Sequence, residues 1–146
     1  VIAMTELGLC ALSESLLDNI PSKSGEAATA LINTNLRILN LDNNRLGSVG
    51  AGILSEMLQK SRSLSVLSIS ENEIAPPGAK RIGVALKHNI NLKVLRISGN
   101  PLCDLGITSL ADMLKSNKTL EYLDLFDVNF GDKGCLYLID AIIMNR

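Results

Sequence analysis

The segment that decides the fold reads Leu36-Arg37-Ile38-Leu39-Asn40-Leu41-Asp42-Asn43-Asn44-Arg45-Leu46. Within it, Leu39 and Leu41 alternate with Ile38, Asn40 and Asp42, and a period of two is typical of a short β-strand with one buried face. We therefore expect Leu39 and Leu41 to point into a core and their neighbours to point away from it.

The same string recurs with a spacing of 28 residues, which indicates a repeat architecture. Each of the four copies opens with a leucine: Leu36, Leu64, Leu92 and Leu120. A glycine follows each string at a constant offset: Gly50, Gly78, Gly106 and Gly134. Apolar pairs at helical spacing come next and predict one helix in each unit; they are Leu54 and Leu58, Ile82 and Leu86, Leu110 and Leu114, and Leu138 and Ile142.

This LxxLxLxxNxL string resembles the signature of leucine-rich repeat proteins, and the long helical half resembles their ribonuclease-inhibitor-like class. The resemblance implies an α/β solenoid, a horseshoe segment with parallel strands on the concave face and helices on the convex face. We expect residues 1–146 to form a single leucine-rich-repeat domain, with regular units starting at 36, 64, 92 and 120. Residues 1–35 hold a degraded first unit, and we expect further repeats or covering subunits at both ends. The leucines and methionine that mark the first unit are Met4, Leu7, Leu9 and Leu12.

An asparagine is the ninth residue of the string in three of the four regular units: Asn44, Asn72 and Asn100, with Val128 in the fourth. We expect each Asn to be buried and bonded to the backbone of its own and the neighbouring unit, because a bend after a strand leaves peptide groups unpaired. The recurring glycine predicts close helix packing. A phosphate-binding loop is not indicated, because Gly47–Gly52 lacks a following Lys-Ser or Lys-Thr.

Charge in this chain is balanced, with 14 Lys and Arg against 15 Asp and Glu and a formal net charge of −1. Such a balance supplies no attraction for nucleic acid or for an anionic membrane surface, so we expect neither as a partner. No apolar run approaches the roughly 18 residues that a membrane span needs. The composition predicts a folded domain with an aliphatic core, since 47% of residues are hydrophobic and 3% are aromatic.

Three cysteines, Cys10, Cys103 and Cys135, are an odd number without CxxC spacing, which argues against a disulfide framework and a thiolate metal site. We expect a reducing, cytoplasmic location, half-buried or buried thiols, and no metal or cofactor. Asn117-Lys118-Thr119 matches a glycosylation acceptor, and we interpret the match as chance. His88, the only histidine, is expected in a solvated loop without an acid or nucleophile beside it. The chain is therefore predicted not to be an enzyme.

Strand positions that face away from the core are free to bind a partner. The position two residues after each opening leucine forms an apolar row, and parallel strands place its members about 4.8 Å apart. Aliphatic residues also suit such positions simply because they favour strands. The next outward positions add charged and aromatic side chains, and aromatic and Arg residues dominate many binding interfaces. The predicted partner-binding surface consists of Ile38, Val66, Val94, Arg96, Tyr122, Asp124 and Phe126.

We expect a non-catalytic protein-recognition module or scaffold that binds a partner protein through the concave strand face. The resemblance admits several roles: the ligand-sensing region of nucleotide-binding innate-immune receptors, a cytoskeletal or ciliary scaffold, and an enzyme inhibitor. It also admits an alternative from another class, a fragment of a GTPase activator of the Ran-activating type. The chain lacks the acidic tail of that family and is shorter than a complete activator array, which weakens the alternative.

Overall fold

The computed structural model describes residues 36–145. Four strands form one parallel sheet in the order β1-β2-β3-β4, and a helix follows each strand. The strands are β1 (Ile38–Asn40), β2 (Val66–Ser68), β3 (Val94–Arg96) and β4 (Tyr122–Asp124), and the helices are α1 (Gly47–Lys60), α2 (Pro76–Leu86), α3 (Cys103–Leu114) and α4 (Asp132–Met144). The predicted α/β solenoid is confirmed. The predicted first unit, with Met4, Leu7, Leu9, Cys10 and Leu12, lies outside the described residues.

The strands pair in the register of the sequence repeat. Leu39 pairs with Leu67, Leu67 with Leu95, and Leu95 with Leu123. Leu67 and Leu95 are fully buried, as the alternation predicts. Leu39 and Leu123 are only half-buried. Leu39 is thus less buried than expected, because β1 and β4 each have a described strand on one side only.

Helix α4 is the most exposed of the four helices. The predicted apolar pairs of α1 and α2 are fully buried. In α3, Leu110 is fully buried and Leu114 is half-buried. In α4, Leu138 is half-buried and Ile142 is exposed. Each helix packs against its sequence neighbours, and α4 has only α3 beside it among the described residues.

The recurring glycines let adjacent helices approach closely. A Cβ added at Gly78 would lie 2.8 Å from Cγ2 of Ile74 and 3.0 Å from Cβ of Ala51. A Cβ added at Gly106 would lie 3.0 Å from Cβ of Leu102 and 3.2 Å from Cβ of Ala79. These separations leave little or no room for a side chain, and they confirm the predicted role of the glycines in helix packing.

The amide of Asn72 connects the first two described units. Its Oδ1 accepts the backbone N–H groups of Asn44 at 3.0 Å and Leu46 at 3.3 Å. Its Nδ2 donates to the backbone carbonyls of Leu41 at 2.8 Å and Ser70 at 2.9 Å. Asn72 is completely buried, whereas Asn44 is half-buried. The predicted buried position and backbone bonding are therefore confirmed for Asn72.

Asn100 repeats this arrangement one unit later. Its Oδ1 accepts the N–H groups of Asn72 at 3.1 Å and Ile74 at 2.9 Å, and its Nδ2 donates to three carbonyls of its own and the preceding unit. We call this series of Asn side chains, each bonded to the backbone of two units, the Asn ladder. The Asn ladder ends at Asn100, because buried Val128 has no amide. The N–H of Leu102 donates instead to the carbonyl of Asn100 at 2.7 Å.

A second ladder, which the sequence analysis missed, lies between each helix and the following strand. Asn117 is buried, its Nδ2 donates to the carbonyl of Leu86 at 2.6 Å, and its Oδ1 accepts the N–H groups of Thr119 and Leu120 at 2.8 Å each. Asn117 is therefore a structural residue, and the acceptor-like tripeptide belongs to the fold. This second ladder could have been found in the sequence, because its residues also recur every 28 positions. They are Ser61, Asn89, Asn117 and Asn145.

Replacing Asn72 by Ala should lower the free energy of unfolding by about 1–3 kcal/mol, because buried backbone groups lose their partners. Urea unfolding measures the change. Asn91→Ala is the matched control, since its half-buried amide makes a single 3.3 Å bond to the carbonyl of Ser61, and it should cost less. An unchanged urea midpoint for Asn72→Ala would contradict the structural role of the amide.

Replacing Gly78 by Ala should destabilise the protein by about 1–3 kcal/mol, because the added methyl group overlaps Ile74 and crowds the backbone of Ser48. Gly106→Ala meets looser contacts and should cost less. Thermal unfolding of both variants gives the comparison. Equal stability of Gly78→Ala and the parent protein would mean that the helices are not held this closely in solution.

Candidate functional site

The outward side of the sheet, which we call the strand face, carries all seven predicted binding residues. Val66 pairs with Ile38 and Val94, and Val94 pairs with Tyr122, so the predicted apolar row is continuous across the sheet. Ile38 and Tyr122 are 67% and 51% exposed, whereas the two valines are half-buried. The row is therefore most accessible at its two ends.

The C-terminal end of the strand face combines aromatic and charged side chains. Arg96 pairs in register with Asp124, as expected, and its guanidinium carbon lies 6.0 Å from the ring centroid of Tyr122. This distance is at the outer limit of a cation–π contact. Phe126 follows β4 and is 79% exposed, and its N–H donates to Oδ1 of Asp124 at 3.0 Å. Two exposed aromatic residues thus lie on and just after β4, and Arg96 lies beside the first of them.

A line of hydrogen bonds, which the residue pattern did not predict, runs across the strand face from Asp42 to Ser98. The Asp42 carboxylate accepts the Ser68 hydroxyl at 2.8 and 3.0 Å and the Ser70 N–H at 2.7 Å. The hydroxyls of Ser70 and Ser98 lie 2.9 Å apart. Asp42 is therefore occupied within the fold, and its charge is less available to a partner than that of Asp124.

The loops that follow the strands contain a regular series of residues with positive φ. Residues at matching positions have φ between 51° and 65°: Asn43, Glu71, Gly99 and Asp127. A second such position holds Arg45, Glu73 and Asn129, but unit three has Pro101 there, whose ring requires a negative φ. Cys103 in that unit has a φ of 53°, and Gly47 at the matching position of unit one has a φ of 57°. The loops at the edge of the strand face therefore share a recurring backbone conformation. An ion pair between Arg45 and Glu73, at 3.8 Å, also joins two of these loops, but it is exposed and weak.

Residues that could suggest catalysis are not assembled into a site within residues 36–145. His88 is exposed, and its side chain makes no hydrogen bond or ion pair to another described residue. No group of His, Cys, Asp or Glu in the described part could hold a metal ion. Cys103 is half-buried, as expected, but Cys135 is exposed, contrary to expectation, because it lies on the uncovered side of α4. None of the described helices is long and apolar enough to span a membrane.

Lys115, which follows α3, forms two ion pairs. Its Nζ lies 3.3 Å from Oδ2 of Asp140 and 3.5 Å from Oδ1 of Asp112. The hydrogen bond to Asp140 raises the pKa of Lys115 above its usual value. A raised lysine pKa adds stability that is lost only as the pH rises through the folded-state pKa, so this α3–α4 contact persists through the neutral range.

Four segments of the chain match the family model described as "Leucine Rich repeat": residues 33–54, 60–83, 88–111 and 116–138. Together they cover more than half of the chain. A comparison with curated proteins finds no match.

Two solved structures have the same fold at low sequence identity. A chain named "Leiomodin-1 Actin-Binding Site 2 (ABS2)" is 18% identical with a TM-score of 0.72, and the match covers 91% of this chain and 71% of that one. The tropomodulin C-terminal domain of Caenorhabditis elegans is 13% identical with a TM-score of 0.56, and the match covers 94% of this chain and 92% of that one. At such identity the likeness is one of fold.

Tyr122→Ala and Phe126→Ala should each change the free energy of unfolding by about 1 kcal/mol or less, because both side chains are exposed. Leu95→Ala, a fully buried position of the same sheet, is the control and should cost about 2–5 kcal/mol. Urea unfolding of the three variants measures these effects. A loss at Tyr122 or Phe126 as large as that at Leu95 would identify the aromatic residues as part of the core.

Proposed function

Because the chain belongs to the leucine-rich repeat family, we propose that it is a protein-binding domain whose strand face, on the concave side of the solenoid, contacts the partner. The observation that carries the proposal is the exposure of Tyr122, with Arg96 beside its ring, and of Phe126 just after the same strand. Tyr122 and Phe126 are two of the four aromatic residues of the chain, and both are exposed on the strand face. Binding a protein surface would remove both from water.

The strand-face residues have different roles in this proposal. Tyr122 and Phe126 act as anchors, because large aromatic side chains contribute strongly to binding when they are buried at an interface. Arg96 and Asp124 set the orientation of the partner through charge. The apolar row of Ile38, Val66 and Val94 extends the contact across the remaining strands.

The comparisons support a protein as the ligand. The name of one similar structure describes an actin-binding site of leiomodin-1, and actin is therefore the first partner to test. The near-zero net charge supports a protein partner over nucleic acid or an anionic membrane. No comparison favours the Ran-activating alternative. We further propose that the domain acts by binding without catalysis, and that it works in a reducing, intracellular setting, which the free thiols of Cys103 and Cys135 support.

A photoreactive amino acid placed at Phe126 should cross-link the native partner, and the same group at Val84, an exposed position of α2 on the helix side, should not. Purified actin is the first probe, followed by cell extract. The captured protein is then identified and prepared for affinity measurements.

With the identified partner, Tyr122→Ala and Phe126→Ala should each weaken binding by about 2 kcal/mol, or roughly 30-fold. Lys80→Ala on the helix side is the matched control and should change the affinity little. Isothermal titration calorimetry measures each variant. Normal binding by both aromatic variants, together with loss of binding in Lys80→Ala, would place the site on the convex side.

A further inference from the structure

Charged residues are divided unevenly between the two edges of the solenoid, although the net charge of the chain is close to zero. At one edge, the described loops that join each strand to the following helix hold four acidic residues and one arginine; they are Asp42, Glu71, Glu73, Asp127 and Arg45. We call the other edge, where α1, α2 and α3 end and the strands begin, the basic edge. Within the described part of the chain it holds seven cations and one acidic residue; they are Arg37, Lys60, Arg62, Lys87, Lys93, Lys115, Lys118 and Glu121.

Helix dipoles account for part of the positive charge on the basic edge. The strands are parallel and a helix follows each of them, so α1, α2 and α3 all end at this edge. A helix end carries about half a negative elementary charge, which favours a nearby cation. The end of α1 has two cations, Lys60 and Arg62. The positive charge at this helix end therefore exceeds what the helix dipole offsets.

The cations without an ion pair to another described residue are concentrated in one half of the basic edge. Lys93 pairs with Glu121 at 2.7 Å, and Lys115 pairs with Asp140 at 3.3 Å. The four cations that form no such pair are all exposed; they are Arg37, Lys60, Arg62 and Lys87. We call these four cations, together with Ile90, the basic patch.

Hydrogen bonds join the two loops of the basic patch and hold Ile90 in place. The side-chain amide of Asn89 donates to the carbonyl of Leu58 at 2.7 Å, and that of Asn91 donates to the carbonyl of Ser61 at 3.3 Å. Ile90 lies between these two asparagines and is 68% exposed. The loop therefore presents an apolar side chain to solvent beside the cations.

We infer that the basic patch binds an acidic segment of a protein partner, whose carboxylates pair with the cations and whose apolar side chain covers Ile90. Opposite charges speed association and orient the two proteins. The acidic loops of the other edge repel the same segment, which directs it to the basic edge. This contact is separate from the proposed strand-face site, because the basic patch lies where the strands begin and Phe126 follows the end of β4.

An anionic membrane fits the basic patch less well than an acidic segment. A flat membrane would meet the whole basic edge, including the half in which Lys93 and Lys115 already pair with carboxylates. Ile90 also offers a single apolar side chain, whereas binding at a membrane interface grows with the apolar area that is buried.

The probe for the test is a short fluorescent peptide of Glu and Asp with one central Leu, added to the full chain. Fluorescence anisotropy should show binding that weakens at least about fivefold when salt rises from about 20 to about 200 mM, because salt screens exposed charges. In amide NMR spectra, the shifts caused by the peptide should fall in residues 60–65 and 87–93. No binding, or shifts confined to other residues, would overturn the inference.

Two double variants separate the position of the charges from the net charge. Arg62→Glu with Lys87→Glu should weaken peptide binding at least about tenfold. The matched control, Lys80→Glu with Lys133→Glu, changes the net charge equally at exposed positions of α2 and α4 and should keep the affinity within about twofold. Equal losses in the two variants would overturn the inference. If the first variant does not fold, Arg62→Gln with Lys87→Gln takes its place and should weaken binding at least about threefold.

Ile90→Ser tests the apolar part of the contact. It should weaken binding of the Leu peptide and leave binding of a peptide with Ser in place of Leu unchanged. Equal effects on the two peptides would contradict the role of Ile90. Phe126→Ala should leave binding of the Leu peptide unchanged, so failure of the strand-face site and failure of this inference are distinguishable.

A vesicle experiment tests the competing occupant. Phosphatidylcholine vesicles with about 30% phosphatidylserine should not sediment the protein at about 100 mM salt, because few cations are free to meet the surface. Sedimentation with these vesicles that is lost in Arg62→Glu with Lys87→Glu, without binding of the Leu peptide, would overturn the inference in favour of a membrane.

Discussion

The structure depends on one constraint, the need to pair peptide groups where very short strands end. Each strand is three residues long, so the chain bends away from the sheet almost as soon as it enters it. The residues that flank the bends of units two and three, such as Ile69 and Asn72, are buried, and buried N–H and C=O groups without partners are costly. The amides of Asn72 and Asn100 satisfy groups on two consecutive units at once. The Asn amide, which has both donor and acceptor atoms, meets this need in units two and three, whereas unit four has Val128 at the matching position.

The sequence predicted the features that recur with the repeat. The strand register, the Asn ladder and the glycine contacts all follow from a constant 28-residue spacing, because each interface repeats the previous one. The strand face followed for the same reason: once the inward positions were assigned to leucines, Tyr122 and Arg96 had to face outward. The second ladder is equally periodic. It was not predicted because its asparagines lie outside the LxxLxLxxNxL string, from which the first ladder was predicted.

Other features could not be predicted from the repeat pattern, because they depend on whether another strand or helix lies beside the residue. Leu39 and Leu95 occupy equivalent positions, yet Leu39 is half-buried because β1 has a described strand on one side only. Cys135 and Ala79 are also equivalent and differ in exposure for the same reason. The bonds from Asp42 to Ser68 and Ser70 depend on side-chain direction across two strands, and the alternation of apolar and polar residues carries no information about it.

Each helix in the described part of the chain packs only against the helices next to it, and each strand pairs only with the next strand. Because each unit contacts only its neighbours, the interfaces between units bear a mechanical load in series. Force applied along the solenoid axis would pass through every interface in turn, and the weakest one would open first while the others stayed intact. The interface between units three and four lacks the buried Asn contact where Val128 stands, and there the load would pass instead through more exposed bonds, those of the Gly131 and Gly134 N–H groups to Asp104.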